Sequence, residues 1–128
     1  SLRDTLVTSD GTSLLRFRDT GNLSVLRTIM VTIGNSPQIY LNELEWAHGS
    51  IYANQWGTDW ILRIDPLSGN VTELIDCTGL LTEEQQLSAD VLNGIAWDAE
   101  RNAARYGLDA HVTLLYGVKI PVRQMLEQ

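Results

Sequence analysis

The chain has 128 residues, which suits one domain, and 44% of them are hydrophobic, enough for a packed core. With 16 acidic residues against 9 basic ones, the formal net charge is −7, which argues against a nucleic-acid-binding protein and against attraction to anionic membranes. No apolar run approaches the roughly 18–20 residues of a membrane span, and the first residues lack the apolar segment of a signal peptide.

Short runs rich in β-branched residues, separated by turn sequences, fill the first half of the chain and predict strands. Asp10-Gly11 is a strong hairpin dipeptide, residues 34–37 are typical of a loop, and His48 is placed in a hairpin turn. Asp10 and Asp65 are interpreted as turn residues. The strand-like runs cover residues 6–8, 13–18, 23–33, 39–46, 50–56, 60–64 and 71–75.

One helix is predicted after these runs. Thr82 and Gln85 stand at the two ends of a capping-box pattern, in which the threonine oxygen caps the third amide and the glutamine reaches back. The pattern predicts a helix over about residues 83–90, within an insertion at 81–91.

Neither a metal site nor a cofactor is expected from the sequence. The single cysteine, Cys77, excludes an internal disulfide and is interpreted as a small buried apolar residue at a strand end. The two histidines, His48 and His111, are far apart in the sequence and do not indicate a metal site.

Two stretches of the sequence recur at a spacing of about 50 residues. Residues 9–17 match residues 55–64 with one inserted residue, and residues 41–46 match residues 92–97. A four-stranded antiparallel unit of that length is typical of one blade of a β-propeller. We therefore predict an all-β protein built from β-propeller blades.

About two and a half such blades fit into the chain. A propeller needs at least about four blades to close its ring, and an open stack exposes apolar faces and sheet edges. The chain is then part of a larger propeller, or copies of it complete the ring, or the fold is rebuilt; we predict a homo-oligomer. The predicted division is a blade at 1–38, a blade at 39–80, the helical insertion at 81–91 and an incomplete blade at 92–128.

Five separated motifs carry a family resemblance: residues 9–13, 41–46, 51–56, 64–69 and 90–98. In this order they resemble the plant and bacterial glutaminyl cyclases, also called glutamine cyclotransferases. The resemblance implies a five-bladed propeller of which this chain is the C-terminal half, without a catalytic zinc, in a periplasmic or secreted protein. It also implies that an N-terminal glutamine of a peptide is converted to pyroglutamate with release of ammonia.

The resemblance assigns two site residues. Asn42 is similar to the family's asparagine at the mouth of the central channel, and Trp56 to a tryptophan that walls the same pocket. Without the resemblance, Asn42 would be interpreted as a turn residue. Glu43 and Glu45 alternate with Leu44 and can face the channel in place of the family's acid; the alternative is that they are solvated or pair with a backbone donor. Of the two, Glu43 is a predicted substrate-binding residue. The other tryptophans are assigned to the core between blades: Trp46, Trp60 and Trp97.

Cyclisation needs a neutral α-amine to attack the γ-carboxamide, a donor for the oxyanion, and an acid for the leaving nitrogen. The amide of Asn42 can be that donor, and the indole of Trp56 can exclude water. In the family the catalytic glutamate lies in an earlier blade, and a lysine lies in a Thr-Gly-Lys strand that residues 102–112 do not reproduce.

We therefore predict a glutaminyl-peptide cyclotransferase-like protein that is weak or inactive as a single chain. One alternative is a non-catalytic propeller remnant that binds a peptide or a partner protein or associates with itself. A third hypothesis is a lactonase-like propeller enzyme. Such an enzyme would need clustered acidic metal ligands, which the sequence does not show.

Overall fold

The structure is a computed structural model that describes residues 5–79 continuously and, beyond them, residues 83, 84, 95, 118, 119, 125 and 126. Over residues 5–79 the chain forms antiparallel sheets joined by short turns, which confirms the predicted all-β class. Apart from those few positions, the predicted insertion at 81–91 and the incomplete blade at 92–128 lie outside the described residues. The strands are β1 (Thr5–Ser9), β2 (Leu14–Asp19), β3 (Val25–Met30), β4 (Thr32–Ile33), β5 (Ser36–Pro37), β6 (Leu41–Ala47), β7 (Ser50–Gln55), β8 (Trp60–Ile64), β9 (Val71–Asp76), β10 (Val118–Lys119) and β11 (Met125–Leu126).

Strands β1, β2 and β3 form a three-stranded antiparallel sheet, called here the first sheet. The predicted hairpin dipeptide lies in its first turn, where Gly11 has a φ of +88°, a left-handed conformation that suits glycine. Side chains alternate along β2, so Leu15 and Phe17 point to one face and are buried. The Arg27 guanidinium lies 3.6 Å from the centre of the Phe17 ring and covers it from β3.

Strands β6, β7, β8 and β9 follow one another in space in chain order and form a four-stranded antiparallel sheet, the second sheet. His48 and Gly49 make the tight β6–β7 turn with φ values of +50° and +71°, the combination that matches the twist of paired strands. The predicted turn position of His48 is confirmed. Residues 50–54 of β7 are all buried, because this strand lies inside the sheet and both of its faces are covered.

The hydrophobic core lies between the two sheets and takes one face from each. Val31, in the connection between them, is fully buried, and its N–H donates to the Ser13 carbonyl oxygen at 2.8 Å. The packing places the end of β1 beside the start of β6, which is where the candidate site forms. The buried core residues are Leu15, Phe17, Ile29, Val31, Leu41, Ile51, Ala53, Leu62 and Ile64.

The face of the first sheet that points away from this core, its outer face, carries apolar side chains that are about half exposed. Leu6 lies across from Arg18, and Arg18 across from Val25, so the three share this face. Leu6, Val25 and Met30 are 45%, 47% and 48% exposed. This face therefore combines apolar and cationic groups, unlike the apolar face that meets the second sheet.

Cys77 follows β9 directly and is buried, as predicted. Burial, and after it the charges of Asp59 and Asp76, raises the pKa of the thiol to about 12. Because the thiolate is the reactive form, we expect Cys77 of the folded chain to resist iodoacetamide at mildly alkaline pH and to react once denaturant is added. Mass spectrometry of the quenched reaction measures this, and rapid alkylation of the native chain would contradict the burial.

Candidate functional site

A cavity of about 460 Å³ opens where the first turn of the first sheet meets the start of β6. This volume lies within the range of about 300–1,000 Å³ that is usual for ligand pockets. The first sheet contributes Ser9, Asp10 and Gly11 to its lining, and the second sheet contributes Tyr40, Leu41, Asn42 and Trp56.

The β6–β7 hairpin brings the two residues assigned by resemblance to this cavity. Leu41, the first residue of β6, pairs with Gln55, the last residue of β7. The Trp56 N–H then donates to the Tyr40 carbonyl oxygen at 2.7 Å, which extends the pairing beyond the strands. Asn42 and Trp56 therefore lie at the same open end of the hairpin.

A β-bulge gives Asn42 its position. The register of β6 against β7 shifts between Leu41 and Leu44, so the peptide unit that joins Asn42 to Glu43 has no regular ladder partner. Side chains replace that partner at both ends of the unit. The Ser9 hydroxyl donates to the Asn42 carbonyl oxygen at 2.7 Å, and the Glu43 N–H donates to Asn54 Oδ1 at 2.9 Å. Both sheets thus hold this peptide unit.

Asn54→Ala should be strongly destabilising. Asn54 is completely buried, so the substitution leaves the Glu43 N–H without its acceptor and opens a void. We expect a loss of about 2–4 kcal/mol in the free energy of unfolding, measured by urea denaturation. Asn35→Ala, in an exposed turn, is the matched control and should stay within about 0.5 kcal/mol of the parent. Equal stabilities for the two variants would show that Asn54 does not support the bulge.

The turn around Asp10 forms the wall of the cavity opposite the hairpin. It is tied to the second sheet, since the Gly11 carbonyl oxygen accepts from the Tyr40 N–H at 2.7 Å. Asp10 Oδ1 accepts from the Thr12 hydroxyl at 2.6 Å and the Thr12 N–H at 3.1 Å, and Oδ2 accepts from Arg16 Nη1 at 2.8 Å. These donors, Thr12 first, hold the pKa of the Asp10 carboxyl at about 2. The turn interpretation of Asp10 is confirmed, and its carboxylate is ionised at neutral pH.

Tyr40 and Trp56 form an aromatic pair in the lining. Their ring centres are 6.1 Å apart with the planes inclined by 64°, an edge-to-face arrangement. The two residues are 53% and 49% exposed, so ring surface is available to a ligand. Tyr40 has a φ of +64°, an uncommon conformation for a residue with a side chain, and its N–H and carbonyl oxygen are both hydrogen-bonded.

The two turns that line the cavity have the same local geometry. Each contains a glycine with positive φ, +88° in the first and +86° in the second. In each, a threonine hydroxyl accepts from the N–H two residues later, at 3.2 Å for Thr12 and 3.1 Å for Thr58. Asp10 and Trp56 directly precede these glycines, so equivalent positions in the two sheets supply two sides of one site.

The predicted site residues are only partly brought together. Asn42 and Trp56 line the cavity, whereas Glu43 is exposed and is not among the described lining residues. The substrate-binding role of Glu43 stays a prediction without support from this geometry. Trp46 and Trp60 are 41% and 38% exposed, so their assignment to the core was wrong; both lie near strand ends, where fewer neighbours cover them.

Sequence reasoning missed Ser9, Tyr40 and Asn54. An amide directly after the run Ile51-Tyr52-Ala53 was the available signal for Asn54, because a buried amide needs a partner. Nothing in the sequence marks the left-handed backbone of Tyr40. Within the described part of the chain, no group of three or more His, Cys, Asp or Glu side chains could hold a metal ion, and no helix has the length and apolarity to cross a membrane.

Comparison with known proteins identifies the class. The family model of glutamine cyclotransferases matches residues 1–105. Glutaminyl-peptide cyclotransferase of Arabidopsis thaliana is 38% identical over 96 residues, which are 73% of this chain and 30% of that protein. The crystal structure of Myxococcus xanthus glutaminyl cyclase matches with a TM-score of 0.66 and 35% identity, over 76% of this chain and 43% of that one.

The solved structure identifies the fold as propeller-type, which confirms the predicted fold class. Among the described residues the second sheet has the four antiparallel strands of one blade, and the first sheet has three. The chain belongs to the glutamine cyclotransferase family. It spans less than half of the length of either relative. The family match ends at residue 105, within the stretch where the Thr-Gly-Lys sequence is missing.

Proposed function

We propose that the cavity binds the N-terminal glutaminyl residue of a peptide and takes part in its cyclisation to pyroglutamate. The observation that carries this proposal is that Asn42 and Trp56, assigned from separate motifs, line one cavity. The family membership of the chain supports it, since both relatives are named for this reaction.

In the proposed reaction, the α-amine nitrogen attacks the γ-carboxamide carbon, a carbon–nitrogen bond closes the five-membered ring, and ammonia leaves with a proton from the amine. The Asn42 side-chain amide donates to the carboxamide oxygen as negative charge develops there. Because Ser9 and Asn54 hold the two ends of the peptide unit that joins Asn42 to Glu43, this donor needs little reorganisation. The Trp56 ring limits the access of water and holds the glutamine side chain of the substrate in a ring-closing conformer.

Slow catalysis by the single chain is expected because the reaction needs a proton carrier. A carboxylic acid that carries the proton needs a raised pKa. Asp10 is the only carboxyl among the described lining residues, and its pKa of about 2 leaves it ionised and a poor acid. The described lining therefore supplies binding and an oxyanion donor, and we expect slow cyclisation.

Ammonia release from a glutaminyl dipeptide amide tests the proposal. We expect slow release by the parent chain above the rate without protein, at least about tenfold less with Asn42→Ala, and an unchanged rate with Asn35→Ala. Parent activity that survives Asn42→Ala would refute the role of Asn42. If the parent neither releases ammonia nor binds the peptide, the proposed function is wrong.

Association of copies, predicted from the number of blades, stays a proposal. The half-exposed Leu6, Val25 and Met30 support it, since sheets of propellers pack face to face. Sedimentation equilibrium at micromolar concentration should give a mass above that of one chain, and Val25→Lys should lower it. Leu67→Lys, at an 81% exposed turn position, is the control and should not change the mass. A parent chain that is monomeric throughout would contradict association.

A further inference from the structure

The cavity is bordered by a negative charge that the cyclisation chemistry does not use. Asp10 is the only charged residue among its described lining residues. Arg16, which pairs with Asp10 Oδ2, is not part of that lining, so the carboxylate and not the guanidinium borders the cavity. Asp10 is 48% exposed at its side chain even with this pair in place. The three hydrogen bonds described for its two oxygens leave acceptor capacity for a ligand.

The aromatic pair is a second group that favours a positively charged ligand. The faces of Tyr40 and Trp56 are electron-rich, and an ammonium or guanidinium group within about 6 Å of such a face is attracted to it. Both rings border the same cavity as Asp10 and are half exposed. A carboxylate and two aromatic rings around one cavity form a site for an organic cation.

The α-amine of the substrate is not the cation that suits this site. It must be neutral to attack the carboxamide, and an adjacent carboxylate would hold it protonated. A cavity of about 460 Å³ holds a ligand larger than one glutaminyl residue, so the next residue of the peptide also reaches the lining.

We propose that this cavity selects peptides in which the residue after the N-terminal glutamine is lysine or arginine, with its cationic group held between the Asp10 carboxylate and the Tyr40–Trp56 pair. This preference rests on the proposed function. The net charge of −7 favours the approach of such cationic peptides.

Calorimetric titration of the full chain with two dipeptide amides tests the preference without depending on catalysis. Glutaminyl-lysinamide carries the cation, and glutaminyl-norleucinamide has the same carbon stem without it. We expect the lysine peptide to bind the parent about 5- to 10-fold more tightly at low salt, with a smaller ratio at high salt. Asp10→Asn should bring the ratio close to one, by weakening the lysine peptide much more than the norleucine peptide. Asp59→Asn is the control of equal charge, since Asp59 is exposed and outside the described lining, and it should keep the preference.

The outcomes separate this inference from the proposed function. Equal affinities of the parent for the two peptides would overturn the cationic preference while the glutamine site stands. An equal loss of affinity for both peptides with Asp10→Asn would also overturn the cationic preference, since Asp10 would then bind a group that both peptides share. If neither peptide binds the parent, the proposed function fails first. The parent comparison alone decides the matter should Asp10→Asn not fold.

Discussion

Gly69→Ala should destabilise the chain far more than Gly79→Ala, although both glycines have nearly the same backbone conformation. Their φ values are +83° and +85°, so alanine at either position carries the cost of the left-handed region, about 1–2 kcal/mol. At Gly69, however, an added Cβ would lie 2.1 Å from the Met30 carbonyl oxygen and 2.9 Å from its carbon, whereas at Gly79 it meets nothing within 4 Å.

Backbone has to move to accommodate the alanine at Gly69. The same glycine accepts from the Thr32 N–H at 3.1 Å, a bond between the connection after β3 and the β8–β9 turn, so the movement loosens the joint between the sheets. We expect a loss of about 4 kcal/mol or more for Gly69→Ala against about 1–2 kcal/mol for Gly79→Ala. Urea denaturation of both variants beside the parent measures this difference. Similar midpoints for the two variants would contradict the close approach of the sheets at Gly69.

Trp56→Ala should weaken the binding of a glutaminyl peptide about 10- to 30-fold, because it removes one wall of the cavity and half of the aromatic pair. Trp60→Ala is the matched control. Trp60 begins β8, a few residues beyond the same turn, with a similar exposure of 38%, and it is not among the described lining residues.

Calorimetry with glutaminyl-alaninamide gives the two affinities, and thermal denaturation of each variant checks that the fold is kept. We expect Trp60→Ala to bind the peptide as the parent does. Equal losses for the two variants would mean that the cavity is not where the peptide binds.

Much of the fold follows from turn chemistry that can be read in the sequence. Asp10-Gly11 and His48-Gly49 form turns with positive φ where predicted, and the predicted strand over 60–64 has the bounds of β8. The run at 23–33 was predicted as strand-forming without a break, and the structure divides it at Val31 into β3 and β4. Val31 is buried between the sheets where the chain passes from one to the other. This break depends on packing between residues far apart in the sequence, so the local sequence pattern does not predict it.

The candidate site was predictable only where a family motif marks it. Asn42 and Trp56 came from such motifs, and the cavity brings them together. Ser9 acts through a hydrogen bond between the two sheets, and Tyr40 through its left-handed backbone. Asn54 acts through its hydrogen bond to the β-bulge. These features depend on which residues meet in three dimensions, so residue type and spacing alone do not reveal them.

The proposed binding of an N-terminal glutaminyl residue against Asn42 and Trp56 can be followed at the indole N–H resonances of the four tryptophans. In a ¹H–¹⁵N correlation spectrum, with the Trp56 peak assigned through Trp56→Phe, glutaminyl-alaninamide should shift that peak and leave the Trp60 peak in place. Pyroglutamyl-alaninamide, which has no free amine or carboxamide side chain, should shift it much less. An unmoved Trp56 resonance with saturating glutaminyl peptide, or equal shifts of Trp56 and Trp60, would show that the peptide does not bind at this cavity.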